Sequence, residues 1–217
     1  MTQDSTSQRQ IWLERWREGR IGWHEAEGSP LLRRYWPRLM RGSTVLVPLC
    51  GKSQDLVWLA RQGYDVVGVE LSEIAVRAFF SEQELDFENT LDGALQCYRA
   101  TALPVRIYQG DYFEFNGGPF HAVFDRGSLI ALPRADRPRY VMHTASLLEE
   151  GAYQLLVTLE YDDTVVQGPP YSVDERELSG YFPLLKRVLS RNDIQTGSPK
   201  FRNAGLQEVM ESVWTSA

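Results

Sequence analysis

Only two cysteines, Cys50 and Cys97, occur among the 217 residues. That excludes a disulfide framework and any Cys/His cluster with metal-ligand spacing. Both are expected to be free thiols, with Cys50 a small apolar filler in its turn. No apolar run is long enough to cross a bilayer, and the polar opening residues lack the apolar centre of a signal peptide. A soluble, cytoplasmic protein with no membrane partner is therefore expected. Positive charge is also in short supply: the formal net charge is −6 and the arginines are scattered. A general nucleic-acid binder would show a basic face instead.

What is present suits one folded domain spanning residues 1–217. Hydrophobic residues make up 43% and charged residues 24% of the chain, ordinary values for a globular protein whose length supports a full core. Two short runs rich in β-branched residues, Val45-Leu46-Val47-Pro48 and Val66-Val67-Gly68-Val69-Glu70, each end in a turn. Each is followed by an amphipathic segment opening on a serine, Ser53 or Ser72. Strand, helix, strand, helix is the first βαβ unit of a doubly wound α/β sheet, whose carboxyl edge binds nucleotides.

Gly51, in the turn after the first strand, can take positive φ cheaply and let the backbone approach a ligand. Glu70 closes the second strand, where a carboxylate accepts hydrogen bonds from both ribose hydroxyls of a nucleotide. The dinucleotide pattern Gly-x-Gly-x-x-Gly is absent, so no pyrophosphate cradle is encoded. S-adenosylmethionine, a nucleoside without phosphate, fits what is missing as well as what is present. Three other readings stay open: a tight turn beside a solvated strand end, a nicotinamide-dependent oxidoreductase, and a non-catalytic nucleotide-binding module.

Pro48-Leu49-Cys50-Gly51-Lys52 followed by Val67-Gly68-Val69-Glu70-Leu71-Ser72-Glu73 resembles the thiopurine S-methyltransferase family, particularly its bacterial members. Trp16, Gly22-Trp23-His24-Glu25, Phe79-Phe80, Asp125-Arg126-Gly127-Ser128-Leu129 and Gly168-Pro169-Pro170-Tyr171 extend the likeness over nearly the whole chain. The resemblance implies a mostly parallel, seven-stranded Rossmann-like sheet with an antiparallel C-terminal strand pair. It also implies methyl transfer from S-adenosylmethionine to an aromatic or heterocyclic thiol, or to selenium or tellurium species in detoxification. Trp16, Leu49, Gly51, Glu70, Asp111, Tyr112 and Arg126 would lie at the donor, with Asp111 taking the adenine amine and Tyr112 packing on the ring. Trp23, Arg126, Pro170, Tyr171 and Lys200 would shape the acceptor pocket, where Arg126 favours the anionic sulfur. Asp125 and Arg126 could instead simply pair with each other. No metal is implied, and nothing demands more than a monomer.

Along the chain, Ser7 and Gln10 form a capping box for a helix over residues 7–17, carrying Ile11, Trp12, Arg15 and Trp16. A second helix is predicted over residues 30–40, kinked or ended near Pro37. Together they make an N-terminal lid of about residues 7–40, in which Trp12 anchors the core and His24 is a hydrogen-bonded scaffold. Helices are predicted over 53–62, with Leu56, Leu59 and Ala60 inward, and over 73–83, with Ile74, Ala75, Ala78 and Phe79 inward. Residues 84–104 show no clear period and are expected to carry a short helix. Strands follow over 105–109, 120–124 and 153–159, with a helix over 138–149. A stiff loop through 160–171, a helix over 173–181 and strands over 184–193 and 206–214 complete the chain.

Overall fold

A computed structural model describes residues 3–22 and 24–216, with nothing said of the side chains of residues 3–7; Trp23 lies outside the described residues. In chain order the elements are α1 (Gln3–Arg17), α2 (Pro30–Tyr35), β1 (Thr44–Pro48), α3 (Asp55–Arg61), β2 (Asp65–Glu70) and α4 (Glu73–Glu82). Next come β3 (Phe87–Asp92), β4 (Leu95–Ala100), β5 (Val105–Gln109), β6 (Phe120–Asp125), α5 (Arg137–Ser146) and β7 (Leu148–Glu160). The chain ends with α6 (Glu175–Tyr181), β8 (Lys186–Asn192), α7 (Pro199–Asn203) and β9 (Met210–Thr215).

One sheet runs in the order β3-β4-β5-β2-β1-β6-β7-β9-β8. Its centre, β5-β2-β1-β6-β7, is parallel throughout, and antiparallel strands flank both sides. Alternate residues of the central strands enter opposite cores. Val45, Val47, Val66, Phe124, Leu155 and Val157 pack with Leu56, Leu59, Phe79 and Phe80 of α3 and α4. Leu46, Val67, Val69, Val123 and Leu156 pack with Tyr112, Tyr140 of α5 and Leu178 of α6. Burial on both faces is why these strands read as continuous apolar runs.

Several boundaries differ from the sequence expectation. Residues 84–104 hold the β3-β4 hairpin, not a short helix, which raises the strand count from seven to nine. β3 faces solvent along most of its length, so no apolar alternation marked it. α1 begins before Ser7, which therefore lies within the helix and does not cap it. α2 stops at Tyr35, ahead of Pro37, because Trp36 is pushed into the extended region as a residue before proline usually is. In α4 the inward residues are Ala75, Val76, Phe79 and Phe80, while Ile74 is exposed. The short α7 between the last two strands was not expected; its Phe201 packs on Tyr161 with ring centroids 4.9 Å apart.

Candidate active site

The strand order reverses between β1 and β6, so the crevice at their carboxyl ends is the topological switch point where doubly wound sheets bind ligands. Four segments converge there: the turn after β1, the end of β2, the turn after β5 and the segment after β6.

Glu70 ties two of these together. Its Oε2 accepts the Gly51 N–H at 2.8 Å and its Oε1 accepts the Ser72 N–H at 2.7 Å. The carboxyl is buried. Burial pushes its pKa up, against the opposing pull of the Ser72 and Gly51 amides. Each oxygen keeps a second acceptor position for a ligand hydroxyl. Gly51 has φ +55°, and a Cβ there would stand 3.2 Å from the Trp16 ring. Only glycine is unstrained in that turn, and Trp16 of α1 lies directly on it. Leu49, also at positive φ, lines the crevice beside it.

Asp111 follows β5. Its Oδ1 accepts the Phe113 N–H at 3.1 Å and its Oδ2 accepts from Arg9 Nη1 of α1 at 2.7 Å. Tyr112 is buried with its hydroxyl 2.9 Å from Thr144 Oγ1; burial pushes its pKa up. A cleft of 90 Å³ runs beneath α1, bounded by Trp12, Leu49, Leu71, Asp111, Tyr112 and Phe113. Trp12 thus lines the cleft, against its expected role as a core anchor, while Trp16 holds the Gly51 turn. The signal was in the sequence: Arg9, Trp12 and Trp16 share one helical face by their three- and four-residue spacing.

Asp125 and Arg126 do not pair with each other. Asp125 is buried, and its Oδ1 accepts the Ser128 N–H at 2.8 Å while its Oδ2 accepts the Tyr140 hydroxyl at 2.7 Å. Burial raises its pKa. Ser128 Oγ donates to Pro48 O at 2.6 Å, which pins this segment to the end of β1. Arg126 turns instead to another segment: its Nη2 donates to Glu25 Oε1 at 2.5 Å.

The 167–172 loop, expected to shape the acceptor pocket, is held from several sides. The Tyr171 N–H donates to Ile130 O at 2.7 Å, and the Tyr161 hydroxyl donates to Pro170 O at 2.5 Å. Lys200 Nζ donates to Gln167 O at 2.7 Å and Pro169 O at 3.0 Å. The ammonium is thus spent on loop carbonyls instead of facing an acceptor, and burial, then the Arg15 charge, lowers its pKa. Arg137 Nη2 donates to Ser172 O at 3.0 Å. Sequence reasoning missed Arg137, because its partners lie in segments distant along the chain. Tyr171 lies so close over Gly168 that a Cβ there would come within 2.2 Å of the ring.

A larger cleft of 320 Å³ opens beside this loop, lined by Arg134, Arg137, Glu160, Asp163, Asp174 and Glu177 among others. Its charged walls suit water better than an aromatic ring. Among the described residues, no group of three or more His, Cys, Asp or Glu is placed to hold a metal ion, and no helix is long and apolar enough to cross a membrane.

The residues at the β1, β2 and β5 ends fit S-adenosylmethionine. A buried carboxylate with acceptor positions to spare, a glycine turn covered by an indole, and an acid beside apolar side chains match a ribose, a close backbone approach and an adenine.

Comparison with known proteins agrees with this geometry. The Burkholderia thailandensis 1,6-didemethyltoxoflavin-N1-methyltransferase, solved with 1,6-didemethyltoxoflavin and S-adenosylhomocysteine, superposes with a TM-score of 0.66 at 19% identity, over 99% of this chain and 90% of that one. That likeness concerns the fold. In sequence, thiopurine S-methyltransferases of Bordetella petrii and Azotobacter vinelandii are each 42% identical. They cover 92% and 94% of this chain, and 94% and 96% of their own lengths. A family profile described as Thiopurine S-methyltransferase (TPMT) matches residues 7–217. With the Glu70 turn, the Arg126 segment and the 167–172 loop all falling inside that match, the chain belongs to the thiopurine S-methyltransferase family.

Proposed function

We propose that this enzyme moves a methyl group from S-adenosylmethionine to the sulfur of an aromatic or heterocyclic thiol, and that selenium or tellurium species are the acceptors to test beside it. The observation that carries this reading is the position of Arg126, a cation just past the carboxyl end of β6, at the switch point of the strand order. S-adenosylmethionine supplies a methyl carbon made electrophilic by its sulfonium. Glu70 would take the ribose hydroxyls, Asp111 the adenine amine, and Leu49, Leu71 and Tyr112 the adenine faces. Arg126 would hold the acceptor sulfur as an anion, since a nearby cation favours the ionised thiol. The protein's contribution is then mainly alignment of sulfur and methyl carbon.

The cleft beneath α1 is 90 Å³, well below the roughly 300–1,000 Å³ typical of ligand pockets. The N-terminal segment therefore serves as a lid. It is fastened by the Arg9–Asp111 pair and by Trp16, and it lifts as the donor enters.

Transfer of labelled methyl to a thiopurine, a thiophenol, an alkyl thiol, selenite and tellurite tests the reading. Transfer to the aromatic thiols is expected, and none to any of these acceptors would overturn it. Lys200→Met should loosen the 167–172 loop by about 1 kcal/mol, the size of one net hydrogen bond. It should raise the acceptor KM roughly fivefold while donor affinity, measured by Trp fluorescence, stays put.

A further inference from the structure

Glu25 lies in a loop that is fastened down beside the carboxyl edge of the sheet. The Ser29 N–H donates to Asp55 Oδ1 at 2.7 Å. Gly28 sits at φ +72° so close to that oxygen that a Cβ would stand 2.8 Å away. The loop is therefore docked on the N-terminal end of α3, beside the turn that Glu70 organises. From it, Glu25 Oε1 accepts from Arg126 Nη2 at 2.5 Å. Glu25 Oε2 is enclosed with no hydrogen-bond partner among the described residues, although the side chain as a whole is 38% exposed. A buried carboxylate oxygen without a donor is costly unless something else supplies one.

We propose that Glu25 is the proton acceptor for the thiol: Oε2 takes the acceptor's S–H proton while Oε1 stays on Arg126. This rests on the reading that a thiol is methylated beside Arg126. The acceptor sulfur forms its bond to the methyl carbon, the donor sulfur keeps the electron pair of the bond that breaks, and the acceptor's proton passes to Oε2. The neutral carboxyl then releases the proton to solvent. A carboxylate is strong enough for this, because a thiol becomes far more acidic as its sulfur gains a third bond. Burial holds the Glu25 pKa above the ordinary carboxylate value in spite of Arg126, and the charges of Asp55 and Glu211 push the same way. Arg191 is the other charge that faces it. His24, the neighbouring titratable group, is pushed down by burial.

Two thiols of different acidity separate this role from a structural one: a nitrothiophenol already ionised at neutral pH, and an alkyl thiol that is not. Glu25→Gln keeps the size and the bond to Arg126 and removes the base. It should lower kcat for the alkyl thiol about a hundredfold, the lower end for general-base catalysis, and for the nitrothiophenol only a few-fold. Acceptor affinity without donor, read by Trp fluorescence, should stay within about twofold. With the alkyl thiol, the rate should rise as pH climbs through the Glu25 pKa, and this limb should vanish in the variant. Equal losses with both thiols, no loss with either, or a hundredfold loss appearing in His24→Asn instead would overturn the proposal. If the unmodified enzyme methylates neither thiol, the thiol reading itself fails, a result distinct from a flat response to Glu25→Gln.

Discussion

Glu70→Ala is expected to weaken binding of S-adenosylhomocysteine about a hundredfold or more. Two hydrogen bonds from ribose hydroxyls to a carboxylate are worth about 1.5–3 kcal/mol each, and each factor of ten in affinity is about 1.4 kcal/mol. The substitution also removes the acceptors of the Gly51 and Ser72 amides, so a loosened turn could weaken binding on its own. A ligand lacking both ribose hydroxyls tells these apart. Calorimetric titration should show that deleting the hydroxyls weakens binding to the unmodified protein and hardly changes binding to Glu70→Ala. If both proteins lose affinity equally for that ligand, Glu70 acts through the turn and does not touch the ribose.

Arg137→Met is expected to be the most destabilising single change at the 167–172 loop. The guanidinium is buried and joins three segments: Nε donates to Leu132 O at 3.1 Å, Nη1 to Glu177 Oε2 at 2.8 Å and Nη2 to Ser172 O at 3.0 Å. Side-chain exposure is 2% for Arg137 and 5% for Glu177, so removing Arg137 leaves a buried carboxylate without its cation, held among the described residues only by the Tyr181 hydroxyl at 3.1 Å. Arg134, at 3.8 Å from the same carboxylate and 74% exposed, is too distant and too solvated to replace it. Breaking a buried pair from one side costs about 3–5 kcal/mol, which for a chain of this size lowers Tm by roughly 10 °C. Arg137→Met with Glu177→Leu should recover much of that loss, since no charge is then left unpaired. Thermal unfolding of the single and double variants checks both statements. A single variant within about 1 kcal/mol of the parent would mean that the 167–172 loop does not depend on this bridge.

The central sheet was legible because its signal is local. In β1 and β2 the inner positions, Val45 to Pro48 and Val66 to Val69, are all apolar or glycine, and the two-residue alternation sends neighbours to opposite cores, so the run itself declares burial on both faces. The Gly51 turn and the Glu70 strand end were legible for a similar reason. A glycine and an acid at fixed places around a βαβ unit have few other uses. The β3-β4 hairpin was missed although its two-residue loop, Gly93-Ala94, has glycine at positive φ in the first turn position, as such loops often do. Its outer strand is solvent-exposed and polar, so the apolar pattern that normally accompanies such a turn was not there. Lys200 was matched to the acceptor pocket by position. Its ammonium reaches the loop's carbonyls instead because α7 places it under the loop; the Ser198-Pro199 start and Gly205 stop of α7 were local signals that went unread.

The sequence by itself determined the doubly wound sheet and placed Glu70 and Arg126 at the carboxyl edge of its strands, since each depends on spacing within one or two adjacent elements. Tertiary structure alone decided which residues complete them. Arg126 turns from its neighbour Asp125 to Glu25, Asp111 meets Arg9 from α1, and Arg137 reaches Ser172 and Glu177. In each case the partner's identity depends on how separate elements pack against the sheet. Spacing records a pair on one helix, such as Glu73 and Arg77, but carries no record of pairs between elements distant along the chain.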